Sequence, residues 1–426
     1  MLDIKLFRET PDVVRKNLER RKDSEKLKWV DEIIKFDDQW RQKKQDVDTL
    51  RAKRNEVTEE IQKLKKSKKD AAAKIKEAQD IPLEIKDAEE LMSYYKDNLD
   101  SLLRRMPNIM HDSVPYGKDD SENAEVKKWG NIRKFDFDVK SHVEVGENLG
   151  LLDFDKSAKI AGHGFYFLKG ELALLNQAVI RFAIDHMMKR GYLYVEPPLM
   201  MRKKHYEGVT DLADFGNMMY KIEGEDVYMI ATSEHPLVSQ YMDEVLKDVD
   251  LPIRLCGYSM CFRKEVGSRG IDTKGLFRTH QFNKVEQVVI CKPDESWELH
   301  REIVNNTEEL FQALELPYRL VNICTGDLGI VAAKKYDLEV WMPRQKGYKE
   351  AASASNCTDY QARRLNIKYG KEGGDKFLAH TLNNTVVATS RALVAIIENY
   401  QNRDGSITVP KVLVPYMNGT TVIRKR

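Results

Sequence analysis

Two nearby runs of charged and aromatic residues carry the clearest chemical pattern in this sequence. They span residues 261–265 and 280–287, and both have the composition of short strands. A polar loop separates them, and its glycines are Gly267, Gly270 and Gly275. The segment therefore predicts a long β-hairpin, in which Arg263 and Glu265 share one face because alternate side chains of a strand point the same way.

The second run places an aromatic ring and a carboxylate on one face at a distance that suits an elongated ligand. Phe282 and Glu286 are four residues apart, which is roughly 13 Å along a strand. The ring could stack on a purine and the carboxylate could bind an ammonium group, while Arg263 and Arg278 donate forked hydrogen bonds to phosphate between them. The spacing alone favours an ordinary charged hairpin with one exposed aromatic residue.

The first quarter of the chain predicts an antiparallel pair of long helices. The first glycine is Gly117, and residues 1–110 contain 27 Lys and Arg against 24 Asp and Glu. Two stretches repeat seam positions at alternating spacings of three and four, as in a coiled coil. The first seam is Ile33, Phe36, Trp40, Lys43, Val47, Leu50, Arg54, Val57, Ile61 and Leu64. The second is Ala78, Ile81, Ile85, Ala88, Met92, Tyr95, Leu99, Leu102 and Met106. Pro82 predicts a kink in the second helix or a late start of it.

The predicted tip of this hairpin, residues 63–76, is strongly basic. It has one acid, Asp70, and seven lysines: Lys63, Lys65, Lys66, Lys68, Lys69, Lys74 and Lys76. Each helix would reach about 45 to 50 Å, so the tip suits a phosphate backbone held far from the main body. A solvated lysine-rich turn is the alternative that charge alone leaves open.

The rest of the chain predicts an antiparallel sheet flanked by helices. Residues 107–130 have the proline, glycine and polar content of a linker. Residues 171–190 form an amphipathic helical pattern that Gly191 closes. Strand-like runs follow at residues 192–195, 287–290 and 338–341, without a repeating βαβ order. The fold class is therefore α+β.

Composition excludes several classes of protein. With 426 residues, of which 42% are hydrophobic, the chain can form two or three domains with a sizeable core. The net charge of +2 gives no global attraction to polyanions. The sequence has neither a membrane-spanning run nor a signal peptide, which predicts a cytoplasmic protein. Its five cysteines lack CxxC pairs, so they are expected to be buried thiols rather than zinc ligands.

The two runs of the hairpin resemble motif 2 of the class II aminoacyl-tRNA synthetases, and most of all the seryl-tRNA synthetase family. The similar segments are Phe262-Arg263-x-Glu265 and Arg278-x-His280-Gln281-Phe282-x-x-x-Glu286. The resemblance extends over nearly the whole chain, through Met1 to Lys5, Thr232-Ser233-Glu234, Gly326 to Gly329, Tyr336 to Trp341, Ser355-Asn356-Cys357, Gln361-Ala362-Arg363-Arg364, Leu382-Asn383 and Arg391. Asn384, Val386 and Ser390 stand where many bacterial members have glycine, so an archaeal-type enzyme is expected.

The resemblance implies a serine–tRNA ligase that forms seryl-adenylate from L-serine and ATP and then esterifies tRNA(Ser), with selenocysteine tRNA left open as a second acceptor. The implied ATP-binding residues are Arg263, Glu265, Arg278, Phe282, Glu350 and Arg391, of which Arg263 and Arg391 are catalytic. The implied serine-binding residues are Thr232, Glu234, Arg263, Glu286, Asn383 and Thr385. Glu350 and Ser353 match the family's Mg²⁺ ligands, and the seven tip lysines are the expected tRNA contacts.

The resemblance also implies a domain organisation and an assembly. Residues 1–112 would bind tRNA with a coiled-coil arm at about 30–106, and residues 113–426 would form the catalytic domain with motifs 1, 2 and 3. Motif 1, at residues 171–198, would form a homodimer interface. Two alternatives remain at this point: a synthetase-like ligase that loads an amino acid onto a carrier protein, and a non-catalytic RNA-binding paralogue.

Overall fold

A computed structural model describes residues 1–210, 212, 216–265 and 275–425. The chain separates into two compact units, Met1–Ile109 and Met110–Arg426. Gly267 and Gly270 of the predicted hairpin loop lie outside the described residues. Among the helices that are described, none is both long and apolar enough to cross a membrane. The five cysteine thiols are all buried, as the sequence predicts.

The N-terminal unit is helical. Its helices are α1 (Ile4–Glu9), α2 (Pro11–Arg21), α3 (Ser24–Lys66) and α4 (Ala72–Arg105). Helices α3 and α4 pack side by side along their length and run in opposite directions, because Phe36 contacts Tyr95 near one end while Val57 packs on Ile81 farther along. The predicted coiled-coil hairpin is thus confirmed.

The seam of the hairpin is apolar where the sequence spacing predicts it. Val57, Ile81 and Ile85 form a buried cluster that Leu50, Ile61 and Ala78 border. Pro82 lies inside α4, ten residues after the helix begins, so the alternative of a late helix start at this proline is wrong. The preceding turns consist mainly of Ala, Lys and Glu, which favour helix, and Ile81 is held in the seam.

The C-terminal unit is a mixed α+β domain. Its strands are β1 (Ala124–Trp129), β2 (Leu152–Asp153), β3 (Phe167–Leu168), β4 (Leu193–Val195), β5 (Met200–Arg202), β6 (Val227–Met229), β7 (Val245–Lys247), β8 (Ile253–Phe262), β9 (Gln281–Cys291), β10 (Tyr318–Asn322), β11 (Lys334–Met342), β12 (Gly347–Asn356), β13 (Lys368–Gly370), β14 (Lys376–Leu378), β15 (His380–Ala388), β16 (Ile407–Thr408) and β17 (Val422–Ile423). Its helices are α5 (His142–Asn148), α6 (Asp155–Ala161), α7 (Gly170–Met188), α8 (Lys203–Val209), α9 (Glu234–Ser239), α10 (Ser296–Ala313), α11 (Tyr360–Leu365) and α12 (Thr389–Asn399). Short 3₁₀ helices span Asp120–Glu122, Gly216–Met218, Asp248–Asp250 and Lys411–Met417.

The largest sheet in the described part of the chain has eight strands in the order β1-β10-β11-β12-β15-β9-β8-β4. Neighbouring strands are antiparallel except β4 and β8, which are parallel. Helices α7, α10 and α12 pack on the sheet, and Val285 and Val289 of β9 join their hydrophobic core. The predicted α+β class is therefore confirmed. On the opposite face of β9, Val288 and Ile290 are buried in a second hydrophobic cluster.

The predicted linker at residues 107–130 is wrong in its last part. Ala124–Trp129 forms the edge strand β1, which pairs with β10, and Trp129 stacks on Tyr318 with ring centres 5.7 Å apart. Lys127 and Lys128 interrupt the alternation of apolar and polar residues by which a strand is recognised in a sequence. Charged side chains of this kind are typical of exposed sheet edges, where they discourage further strand pairing.

Candidate active site

A cavity of about 350 Å³ lies over strands β9, β12 and β15 of the large sheet. Its volume falls within the range of sites for small-molecule ligands. The residues predicted to bind ATP, serine or metal all line it: Thr232, Glu234, Arg263, Glu265, Arg278, Phe282, Glu286, Glu350, Ser353, Asn383, Thr385 and Arg391. The structure thus brings together side chains that lie up to 159 positions apart, from Thr232 to Arg391.

Strand β9 supplies one wall of the cavity by simple alternation. Phe282, Lys284 and Glu286 all line the cavity, whereas Val285 belongs to the core that packs against the helices. Strand β8 pairs with β9 in the predicted hairpin, with Phe262 opposite Gln281 at the end next to the connecting loop. The predicted hairpin and the common face of Phe282 and Glu286 are confirmed. Arg263 and Glu265 lie beyond the end of β8, so strand alternation is not what brings them to the cavity.

Two β-bulges bring further residues onto the same face. In β12 the register shifts beside Ala351, so that Glu350 and Ser353 both line the cavity although they are three residues apart. A regular strand would point these two side chains in opposite directions, and the extra residue of a bulge restores a common face. A second shift, beside Val386 in β15, does the same for Thr385 and Ala388.

Arg263 lies directly after β8 and is held from two sides. Its Nε and Nη2 atoms donate hydrogen bonds to the carbonyl oxygen of Ala231, each at 3.3 Å. Its guanidinium carbon lies 5.2 Å from the centre of the Phe282 ring, a cation–π distance. The proposed phosphate-binding and purine-binding groups are therefore adjacent. Glu265 follows with a backbone φ of +45°, a left-handed conformation that is uncommon for residues other than glycine.

Arg391, in the first turn of α12, faces Glu350 across the cavity wall. Its Nη1 atom lies 3.2 Å from the Glu350 carboxylate and donates a 2.9 Å hydrogen bond to the Glu350 carbonyl oxygen. Its guanidinium also lies 4.9 Å from the centre of the Phe277 ring. A planar cation fixed between a carboxylate and a ring is well placed to neutralise phosphate charge.

Comparison with known proteins places the chain. The seryl-tRNA synthetase N-terminal domain matches residues 1–110, and the class II core domain of the G, H, P, S and T synthetases matches residues 219–400. A serine–tRNA ligase from Methanocella arvoryzae is 56% identical over 421 residues, which cover 98% of this chain and 99% of that protein. The chain belongs to the seryl-tRNA synthetase family. It is accordingly a class II ligase that forms aminoacyl-tRNA.

Solved structures agree with this placement. Seryl-tRNA synthetase from Pyrococcus horikoshii, complexed with ATP, matches with a TM-score of 0.94 and 46% identity over 100% of both chains. Cytoplasmic serine–tRNA ligase from Naegleria fowleri, in complex with AMP, matches with a TM-score of 0.89 and 35% identity, covering 100% of this chain and 99% of that one. The expected archaeal type is confirmed by the archaeal relatives. The match to the arm-containing N-terminal domain argues against the carrier-protein ligase.

At the deep end of this synthetase cavity, two acidic side chains lie close together. Burial, together with the neighbouring Glu286 carboxylate, raises the pKa of Glu234 to about 7. Glu286 is 1% exposed and its carboxylate lies 2.8 Å from the ammonium of Lys284, which is 6% exposed. Lys284 neutralises the charge of Glu286. The ionised Glu234 carboxylate can therefore pair with one further positive charge, that of a ligand.

The remaining polar groups at this end come from the segment before α9 and from β15. Thr232 accepts a 3.2 Å hydrogen bond from the backbone N–H of Glu234. Thr385 lies directly opposite Glu286 in the pairing of β15 with β9, so their side chains are neighbours. Asn383 donates to the sulfur of Cys357 at 3.7 Å. Two hydroxyls, an amide and two carboxylates thus line the same end of the cavity.

The face shared by Glu350 and Ser353 suits a hard cation. Both side chains offer oxygen, which Mg²⁺ prefers, and the β12 bulge gives them a common direction. Burial alone would raise the pKa of Glu350, but the charges of Arg391 and Lys335 outweigh it and lower the pKa below its usual value. Within the described ranges no group of three or more His, Cys, Asp or Glu side chains could hold a metal. These residues therefore fit an ion that takes its other ligands from phosphate and water.

Among the cavity residues that sequence reasoning missed, Lys284, Phe277 and His235 carry charge or aromatic rings. Lys284 could have been found, because it lies between Phe282 and Glu286 on the same strand face. Phe277 lies beside the predicted Arg278, but its position beneath Arg391 depends on tertiary folding. His235 follows Glu234 and lines the cavity, and burial lowers its pKa to about 3, so it is neutral at physiological pH.

Proposed function

We propose that this cavity carries out both steps of serine ligation to tRNA(Ser). The serine carboxylate attacks the α-phosphorus of ATP and pyrophosphate leaves, and the seryl group then passes to a terminal ribose hydroxyl of the tRNA. One observation carries the proposal: residues suited to a purine, a phosphate chain, a metal and an amino acid line one cavity of about 350 Å³. The ATP and AMP complexes of the two relatives support it.

The nucleotide would lie along the motif 2 end of the cavity. Phe282 would stack on the adenine and Glu265 would accept hydrogen bonds from it, while Arg263 contacts the α-phosphate beside the ring. Arg278 and Arg391 would bind the distal phosphates. No protein nucleophile is needed, because alignment and neutralisation of phosphate charge account for the rate of such transfers.

Glu350 and Ser353 would hold a Mg²⁺ ion together with ATP phosphate oxygens. When bound, such an ion neutralises phosphate charge and helps orient the leaving group. Arg391 already pairs with Glu350. With both ligands bound, the carboxylate would bind the metal and the arginine would bind the phosphates.

Serine would bind at the deep end. Its ammonium group would lie between Thr232 and Glu234, and its hydroxyl would meet Glu286, Asn383 and Thr385. A buried polar pocket of this kind excludes alanine, because loss of the ligand hydroxyl leaves the protein groups unpaired. Threonine would be excluded by lack of space.

The family assignment extends the proposal to partners. The N-terminal unit would bind tRNA through the lysines of residues 63–76, and its work on tRNA implies a cytoplasmic location. The domain limits 1–112 and 113–426 would separate tRNA recognition from the ligation chemistry.

A homodimer would form through motif 1. There the apolar side chains of Leu174, Met188 and Leu193 are 48%, 50% and 65% exposed.

The direct test is amino-acid-dependent exchange of pyrophosphate into ATP. Serine, threonine, alanine, glycine and cysteine are assayed in parallel with Mg²⁺, because this reaction needs no tRNA. We expect exchange with serine at a rate at least about a hundredfold above the others. Alanine and glycine leave buried polar groups unpaired, cysteine replaces the hydroxyl with a weakly hydrogen-bonding thiol, and threonine lacks space. Charging of tRNA(Ser) then tests the second step. Absence of exchange from folded protein would refute the assignment of the cavity.

Serine binding is expected to weaken in acid. Because burial and Glu286 raise the pKa of Glu234 to about 7, this carboxylate takes up a proton as the pH falls through that value. The neutral acid no longer attracts the serine ammonium, which itself stays charged. We expect kcat/KM for serine to fall about tenfold for each pH unit well below 7. Exchange kinetics at saturating ATP measure this, and a flat profile between about pH 6 and pH 8 would contradict it.

A further inference from the structure

Helix α11 carries a segment that no part of the proposed chemistry uses. Its residues Gln361-Ala362-Arg363-Arg364 belong to the pattern shared with the family, yet Gln361 does not line the cavity. Its side chain is fully buried and lies behind Glu234, between α11, α9 and β15. A fully buried amide needs partners for both its oxygen and its nitrogen, so its hydrogen bonds show what it does.

A chain of three side chains leads to the cavity. The Thr381 hydroxyl donates to Gln361 Oε1 at 2.6 Å. Gln361 Nε2 donates to Glu234 Oε1 at 2.8 Å and to the carbonyl oxygen of Val209 at 3.2 Å. A carbonyl oxygen and a carboxylate can only accept, so the amide must turn its NH₂ group toward them and its oxygen toward Thr381. The orientation of Gln361 is therefore fixed by its neighbours.

We propose that Gln361, oriented by Thr381, is a positioning residue that holds the Glu234 carboxylate for the ammonium group of serine. The inference rests on the proposed function, in which Glu234 receives that group. Gln361 acts from outside the cavity, by anchoring one carboxylate oxygen from behind. A side chain fixed before the ligand arrives costs less to order on binding.

The electrostatic surroundings give this hydrogen bond a second effect. Burial and the Glu286 carboxylate favour protonation of Glu234, whereas the amide of Gln361 favours the carboxylate. Other charged or titratable groups near Glu234 include Lys284 of β9, Arg263 after β8, Tyr206 of α8 and Cys357 after β12. The adjacent residue His235 of α9 also lines the cavity. Removing the amide donor shifts the balance toward the protonated acid, which does not attract an ammonium group.

The test compares Gln361→Met with wild type in serine-dependent pyrophosphate exchange across a range of pH. The substitution keeps an unbranched side chain and removes the amide. We expect the KM for serine to rise about tenfold near neutral pH, as expected for the loss of a hydrogen bond to a charged group. The KM for ATP stays within about twofold, and part of the serine defect is recovered at higher pH, where Glu234 ionises again.

Three further variants make the result specific. Thr381→Val should raise the KM for serine several-fold and Thr381→Ser should restore it, because only the valine variant lacks the hydroxyl that orients Gln361. Gln401→Met is the matched control: Gln401 is also a buried glutamine with backbone hydrogen bonds, but it does not line or face the cavity. It should lower thermal stability without a change in the KM for serine.

The outcomes separate two kinds of failure. If wild type exchanges with serine and Gln361→Met keeps its serine KM and pH profile, the inference is wrong and the proposed function stands. If Gln361→Met raises the KM values for serine and ATP together with no change in the pH profile, Gln361 is merely structural and the inference is also wrong. If Glu234→Gln binds serine as wild type does, the proposed role of Glu234 fails, and the inference fails with it.

Discussion

Replacing Arg263 by glutamine is expected to slow serine-dependent pyrophosphate exchange about a hundred- to a thousandfold. The reason is geometric as well as electrostatic. Two of the guanidinium nitrogens are held by the Ala231 carbonyl oxygen, and the group lies over the Phe282 ring, so its charge is in place before the α-phosphate becomes five-coordinate. Glutamine retains a donor but loses the charge. Because the contact strengthens as the transition state forms, kcat should fall more than the KM for ATP rises.

Two companion variants distinguish position from charge. Arg263→Lys keeps the charge but loses the planar fork, so an intermediate rate is expected. Arg254→Gln makes the same change nine residues earlier on β8, where the guanidinium instead forms two 3.0 Å hydrogen bonds with Glu302. That variant should exchange at nearly the wild-type rate. An Arg263→Gln enzyme within about tenfold of wild type would remove Arg263 from the reacting centre.

Regular periodicity made much of this fold predictable. The alternating three and four spacing predicted the seam in which Val57 and Ile81 meet, and strand alternation predicted the common face of Phe282 and Glu286. Both patterns repeat a local geometry, so they can be read from spacing alone. Strand β1 escaped prediction because Lys127 and Lys128 make an edge strand resemble a linker, and only pairing with β10 defines it.

The arrangement of the cavity was predictable only through the family resemblance. Spacing would place Glu350 and Ser353 on opposite faces of a strand, and the bulge beside Ala351 that unites them has no signal in the local sequence. The hydrogen bond from Gln361 to Glu234 joins residues 127 positions apart. Such contacts depend on how β12, α9 and α11 pack, and a single sequence does not specify that packing.

The arm provides the second large effect, on tRNA rather than on serine. Substituting glutamine at Lys65, Lys66, Lys68 and Lys69 should lower kcat/KM for charging of tRNA(Ser) about a hundredfold. These four side chains are exposed at and beyond the end of α3. Removing one lysine–phosphate ion pair should reduce the dependence of binding on log salt by about one, so the slope should fall by about four for the four substitutions. The substitutions leave the hairpin seam intact, because none of these residues contributes to it.

Lys74 offers the matched control within the same tip. Although it is one of the seven lysines, its ammonium lies 2.8 Å from Glu60 and 3.0 Å from Glu77, and these carboxylates raise its pKa. A lysine already paired with two acids attracts phosphate less than an exposed one does. Lys74→Gln should therefore change charging and its salt dependence much less than any one of the four exposed lysines.

Comparing pyrophosphate exchange with tRNA charging tests the role of the arm. If the lysines bind tRNA, the variant with all four substitutions keeps the wild-type rate of pyrophosphate exchange but charges tRNA(Ser) much more slowly. The reason is that serine activation needs only the cavity of the C-terminal unit. High tRNA concentration should then restore the charging rate, since the defect is in binding. Equal loss of both half-reactions would instead mean that the arm supports the fold of the enzyme, and the basic tip would be a solvated turn whose lysines serve solubility.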